Sequence, residues 1–246
     1  KALNDAGFNS ILIDYQDFIG KTSGKFNAQM FRFPDKLRLK WENHFFNKIN
    51  IAYKNLIEEH KPKVIFVYNN QLLLPDTVKW IKARKIKLLF FLGDSPFYTP
   101  TNRYNLTILE AADYIFAPDT FWLDQLNKLG IANTCFMTMP LPQKDYYEIT
   151  TRKDYSFDIF YLGMSYKNSW GYKKAKFLSY FTSFKLHLIG NSAWKKWLIF
   201  FPDLEKYFHE KEGFMPVEQL NKFYNRTKIV PVDGNPGILN GMHIRV

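Results

Sequence analysis

The sequence predicts an α/β protein of two Rossmann-like domains, each holding a parallel sheet. Short hydrophobic, β-branched runs alternate with segments whose apolar residues recur at helical spacing, the pattern of a parallel sheet covered by helices. That alternation breaks over residues 139–147, where Pro140 and Pro142 fall, and a polar, charged stretch, 150–155, follows. A second series of the same kind starts at Phe157. The expected organisation is a first domain over 1–142, a linker over 143–155 with the hinge at 140–147, and a second domain over 156–246.

Each element has its own reason. Residues 1–7 read as a helix end closed by Gly7, and 8–15 as a short strand in which Ile11, Leu12 and Ile13 lead to Asp14. Residues 36–60 place Leu37, Trp41, Phe45, Ile49, Tyr53 and Leu56 at helical spacing before Pro62 stops the helix. Strands follow at 64–68, 87–92 and 114–117, with helices at 75–84, 105–112 and 120–129, the last closed by Gly130. In the second domain, 157–162 reads as a strand, 163–171 as a loop, 172–181 as a helix and 185–189 as a strand ending at Gly190. Residues 205–212 are polar, 217–225 form a helix after Pro216, and 228–232 a last strand. Both ends of the sequence fall in mid-pattern, so the second domain reads as truncated at its carboxy-terminal end.

Composition narrows the function classes. With 24 Phe, 15 Tyr and 6 Trp the chain has ample rings for core packing, their commoner use, and for stacking surfaces. A formal net charge of +11 draws it toward polyanions, anionic headgroups or nucleotide phosphates. The basic residues are scattered, as in Lys36, Arg38, Lys40 and Lys173, Lys174, Lys176, which favours a solvated basic face over a nucleic-acid-binding arm. Cys135 is the single cysteine, so neither an internal disulfide nor a cysteine zinc cluster can form, which suits a reducing compartment. Cytoplasmic residence follows from that as the default expectation; the apolar runs are too short to cross a bilayer, so any anionic membrane contact would be peripheral, at its inner face. The histidines lack the spacing of a zinc site, and no metal is expected. Phosphate-loop, dinucleotide-fingerprint and nucleophile-elbow motifs are missing, which counts against ATPase, dehydrogenase and serine hydrolase readings.

In open parallel sheets, ligands bind beyond the carboxyl ends of the strands. After the first strand of the second domain come Gly163, Ser165 and Lys167, a set suited to a diphosphate through backbone room, a hydroxyl and a cation. Strand-glycine-turn is also a common connection, and both readings stand. Gly190, Asn191 and Trp194 follow the next strand, where Trp194 serves either a base or the core. In the first domain, Asp94 follows a hydrophobic strand and either acts on an acceptor hydroxyl or caps a turn with Pro96. Asn69, Asn70 and Gln71 follow the strand before it, as sugar-binding amides or turn residues.

The order of segments 157–163, 186–190, 223–232 and 241–246 resembles the CgeB-type branch of the group 1 (GT4-like) glycosyltransferases. It offers a strand with Gly, a second strand with Gly followed by Trp, a helix with Tyr224 and Asn225, and then Gly241 and Arg245 at Gly-x-x-x-Arg spacing. Gly93, Asp94 and Pro96 resemble that family's Asp-x-Pro element. The resemblance implies a GT-B fold and a metal-independent transfer of sugar from a nucleoside-diphosphate donor, expected to be a UDP-sugar, with no further cofactor. It implies a saccharide, protein or lipid-linked acceptor and a role in glycan biosynthesis. By position, Gly163, Ser165 and Lys167 would face the donor diphosphate, and Gly190 and Trp194 the nucleoside. Gly241, His243 and Arg245 would face the donor sugar and phosphates, with Lys167 and Arg245 carrying catalytic charge and Asp94 serving the acceptor. The alternatives are a nucleotide-sugar epimerase on the same frame and a noncatalytic polyanion- or glycan-binding protein.

Overall fold

A computed structural model describes residues 2–20, 30, 33–69, 72–97, 103–138, 145–149, 155–234 and 240. The chain divides into two compact units with the division at Thr138 and Met139, and Asn240 returns to the first. Each unit is α/β, with a four-stranded, wholly parallel, Rossmann-like sheet.

In the first unit, α1 (Ala2–Asp5) ends at Gly7, whose φ of 86° only glycine adopts without strain. The long α2 (Asp35–His60) closes where Lys61 takes a left-handed conformation, with its N–H donating to the Ile57 carbonyl. Then β1 (Val64–Tyr68), α3 (Pro75–Ala83), β2 (Lys87–Phe91), α4 (Asn105–Glu110), β3 (Tyr114–Ala117), α5 (Thr120–Lys128) and β4 (Thr134–Phe136) alternate in regular order. The strands lie in the sheet as β1-β2-β3-β4. Each crossover therefore advances the same way, and right-handed crossovers put all three helices on one face. A single core shows this: Val78, Ile108, Leu109, Trp122 and Leu126 of the helices pack on Leu88, Phe90, Ile115 and Ala117 of the strands. On the opposite face Phe66 and Tyr114 stay exposed.

Two further contacts fix this unit. Asp113 accepts from the Lys82 and Lys87 ammonium groups and the Leu88 N–H, and despite partial burial its carboxyl is held down to about 2. Asp119 caps α5 by accepting from the Phe121 and Trp122 N–H groups and also takes the Asn240 N–H.

The second unit runs β5 (Phe157–Leu162), α6 (Ser169–Ser179), β6 (Leu186–Gly190), α7 (Lys195–Leu198), β7 (Phe208–Glu210), α8 (Val217–Asn225) and β8 (Thr227–Ile229). Its strand order is β7-β6-β5-β8. The chain moves outward from β5 to β7 and then returns to the other side of β5, so the crossovers diverge there. Ala175 and Leu178 of α6, with Trp194, Trp197 and Leu198, cover Ile159, Tyr161, Leu186 and Leu188. On the other face, Phe223 of α8 stacks on Phe160 at 4.9 Å, and Phe157 stacks on His187 at 4.4 Å. Asn221 and Asn225 of α8 bind the backbone of Tyr147 and Ile149, so this described part of the expected linker packs as part of the second unit.

One expected element does not form. Residues 8–14 make no strand, and Leu12 is 95% exposed. A strand exists only through a paired neighbour, and β1 pairs with β2 alone among the described strands. Two short strands, β4 and β7, were not legible beforehand.

Candidate functional site

A parallel sheet opens a crevice where neighbouring crossovers diverge, and in the second unit that point lies between β5 and β8. The segment after β5, residues 163–168, borders it and leads into the amino-terminus of the 11-residue helix α6, capped by the Asn168 side chain. Unpaired N–H groups and the helix dipole make such a terminus favourable for an anion.

The backbone of this loop is held in an unusual way. Trp194 Nε1 donates to the Gly163 carbonyl at 2.8 Å, Lys174 Nζ to Met164 at 3.2 Å, and Asn191 Nδ2 to Ser165 at 3.3 Å. Trp197 Nε1 donates to Tyr166 and Lys196 Nζ to Lys167, both at 2.7 Å. Five consecutive carbonyls are thus tied back by side chains. The Ser165 N–H donates to Asn191 Oδ1 at 2.8 Å, whereas those of Met164, Tyr166 and Lys167 meet no acceptor among the described residues. Tied carbonyls and unspent amides give the loop a net donor character suited to phosphate oxygens. Ser165 is 2% exposed and its hydroxyl has no partner among the described residues. A buried hydroxyl left so costs about 1–3 kcal/mol, which an acceptor brought to the loop would recover.

Glycines make the close approaches possible. A Cβ at Gly163 would enter the Tyr161 ring, and one at Gly190 would collide with the Trp194 indole and the Gly163 carbonyl. Behind the loop, Tyr161 donates its hydroxyl to Asp233 Oδ1 at 2.6 Å, and Lys174 Nζ lies 3.1 Å from Asp233 Oδ2. Asp233 stands just past β8, so both sides of the switch point meet in this cluster.

The sequence-predicted residues divide accordingly. Gly163, Ser165 and Lys167 do lie on one loop, with Lys167 exposed. Of the two places open to Trp194 the core describes where it sits: it is fully buried and its indole N–H is spent on the Gly163 carbonyl. Two exposed rings, Tyr166 on the loop and Trp170 in the first turn of α6, meet edge to face at 6.0 Å. Their exposure had no signal in the sequence. Lys174 and Asp233 were equally hidden, since nothing in the spacing of residues so far apart predicts an ion pair. Gly241, His243 and Arg245 lie outside the described residues, as do Asn70 and Gln71.

In the first unit, Asn69 takes a left-handed conformation after β1, with φ 55°. Its Oδ1 accepts from the N–H groups of Gly93 at 2.6 Å and Asp94 at 3.2 Å, and its Nδ2 donates to Asp94 Oδ2 at 2.8 Å. The turn ahead of Phe97 is served by Ser95, whose hydroxyl accepts the Phe97 N–H, so Asp94 keeps an exposed carboxylate. The neighbouring Tyr68 hydroxyl has its pKa raised, first by burial and then by the Asp94 charge.

Among the described residues no cluster of three or more His, Cys, Asp or Glu side chains is arranged to hold a metal, and no helix is long and apolar enough to cross a membrane.

No family model matches the sequence, and no curated protein matches it. Among solved structures, a putative UDP-N-acetylglucosamine 2-epimerase from Listeria monocytogenes is similar over 77% of this chain and 56% of its own, with TM-score 0.53 and 12% identity. The UDP-GlcNAc 2-epimerase from Methanocaldococcus jannaschii matches over 76% and 60%, with TM-score 0.48 and 13% identity. The E. coli trehalose-6-phosphate structure bound with UDP-2-fluoro glucose matches over 86% and 63%, with TM-score 0.45 and 13% identity. The chain spans less than two thirds of the length of each. At such identity the Listeria likeness concerns the fold, and it agrees with the two Rossmann-like sheets: the chain has a GT-B-like α/β architecture.

Proposed function

We propose that this chain binds a nucleotide sugar through its second unit and transfers the sugar to a saccharide, protein or lipid-linked acceptor, as a GT-B glycosyltransferase. The observation that carries the reading is the 163–168 loop at the β5/β8 switch point, with five carbonyls tied back, and with the Met164, Tyr166 and Lys167 amides and the Ser165 hydroxyl unpartnered among the described residues. When a glycosidic bond to a nucleoside diphosphate breaks, negative charge grows on the leaving group. Preorganised N–H groups and cations stabilise that charge without reorganising at the moment of reaction. The loop amides supply the donors and Lys167 the charge, with Arg245 as a second cation. Tyr166 and Trp170 stack on the nucleoside. The exposed Asp94 carboxylate, oriented by Asn69, accepts a proton from the acceptor hydroxyl. The proposal requires no metal ion.

A second reading, nucleotide-sugar epimerisation, is favoured by the fold likeness to the Listeria protein. Thermal melts with UDP, GDP, ADP and CMP test the shared binding step, because a ligand of the native state raises its melting temperature. UDP is expected to stabilise the chain, and absence of any shift from all four nucleotides would remove both readings. Incubating UDP-sugar with and without acceptor then separates them: an epimerase converts the sugar alone, a transferase only with acceptor. Arg245→Ala is expected to lower turnover while leaving the melting temperature unchanged.

A further inference from the structure

The Lys174 ammonium touches the anion-binding loop at the Met164 carbonyl, 3.2 Å away, yet it is also paired with Asp233 at 3.1 Å. Both side chains are largely buried, 14% and 15% exposed, so water screens the pair only partly. Tyr161 holds the other carboxylate oxygen, fixing Asp233 in place, and Lys173 reaches the Gly234 carbonyl at 3.4 Å. A cation on α6 is thus held against the loop, and its charge is largely offset by one carboxylate from the far side of the switch point.

We propose that Lys174 is a cation of the diphosphate site and that Asp233 sets its strength: the carboxylate fixes the ammonium beside the loop while lowering the positive potential an anion meets there. This rests on the nucleotide-sugar reading and adds a regulator of its affinity. An anion of two or more charges arriving at the loop competes with Asp233 for Lys174. Binding is thereby kept weak enough for the nucleoside diphosphate, the product of transfer, to leave. The arrangement differs from a purely structural ion pair in one decisive respect. If the pair only holds the loop together, removing either partner weakens anion binding; if Asp233 offsets Lys174, removing each partner shifts binding in opposite directions.

The test is calorimetric titration of UDP and of inorganic pyrophosphate into the wild-type chain, Asp233→Asn, Lys174→Met and Lys174→Arg, at low and at high salt. Asp233→Asn keeps a group that can accept from Tyr161 and is expected to bind both probes roughly fivefold more tightly, a factor equivalent to about 1 kcal/mol. That gain should shrink as salt rises. Lys174→Met is expected to bind roughly tenfold more weakly, equivalent to about 1.4 kcal/mol, and Lys174→Arg close to wild type. Asp233→Ala repeats the measurement should the Asn variant not fold, as judged by circular dichroism. Unchanged or weaker binding by a folded Asp233 variant overturns the regulator and leaves the nucleotide-sugar reading standing. Failure of the wild-type chain to bind either probe overturns that reading, and the regulator with it.

Discussion

Trp194→Phe separates a positioning role for this side chain from contact with a nucleoside. The substitution keeps a ring but deletes the N–H that donates to the Gly163 carbonyl at 2.8 Å. That carbonyl then sits buried without its donor, which costs about 1–3 kcal/mol. Trp194 is fully buried in the core formed with Ile159, Tyr161 and Leu188, so the smaller ring also leaves a gap worth about 1 kcal/mol. The expected loss is therefore about 2–4 kcal/mol, read as a fall in the second unit's melting temperature of about 10 °C or more. Thermal unfolding followed by circular dichroism measures it, with UDP titration below the transition as the second readout. Both stability and UDP affinity should fall, since the loop loses one of its five ties. A variant as stable as wild type that has lost UDP affinity would refute this account and return Trp194 to direct contact with the ligand.

Two further outcomes follow from neighbouring features. Gly171 lies in the first turns of α6, where alanine ordinarily stabilises a helix by about 1 kcal/mol. Here the added Cβ would strike the Tyr166 carbonyl and the Trp197 indole N–H, so Gly171→Ala should instead destabilise by about 2 kcal/mol and weaken UDP binding; a melting temperature at or above wild type would contradict the packing. His187 has its pKa lowered from the ordinary histidine value, first by burial and then by the nearby His209. The unfolded chain therefore binds this proton more readily than the fold does, and stability present above the ordinary value of about 6.5 is lost as pH falls below it toward the folded value. Melting of the second unit from pH 8 to pH 5 should show that decline, and His187→Phe should flatten it; an unchanged slope in the variant would assign the effect elsewhere.

The alternation of strands and helices was legible because it is written in local periodicity. Segments 64–68, 114–117, 157–162 and 217–225 coincide with β1, β3, β5 and α8. Where pairing rather than pattern decides, the sequence was silent or misleading. Ile11, Leu12 and Ile13 have the composition of a strand but no described strand beside them, and their residues stay out of the sheet. Thr134, Cys135 and Phe136 are too few to show a period, yet three residues suffice for β4 once β3 offers its edge. At the candidate site the small residue and the hydroxyl, Gly163 and Ser165, were legible from their place after a strand. The side chains that hold their carbonyls were not, because the direction of an indole N–H or a lysine depends on tertiary packing.

Strand order, which periodicity does not encode, sets the two units apart at the carboxyl ends of their strands. In the first unit each new strand extends the sheet the same way, and the loops after β1 and β2 close on each other through Asn69, Gly93 and Asp94. What results is an exposed carboxylate with no cation paired to it among the described residues, a group that repels phosphate and suits a neutral hydroxyl. In the second unit β8 returns to the far side of β5, which parts the loops and lets α6 point its amino-terminus into the gap. The same βα pattern thus leaves an exposed carboxylate beyond one sheet and, beyond the other, a loop with amides unspent among the described residues. The proposed transfer would draw on both, since an acceptor must lose a proton while a leaving diphosphate gains charge, and no single loop can favour both changes in charge.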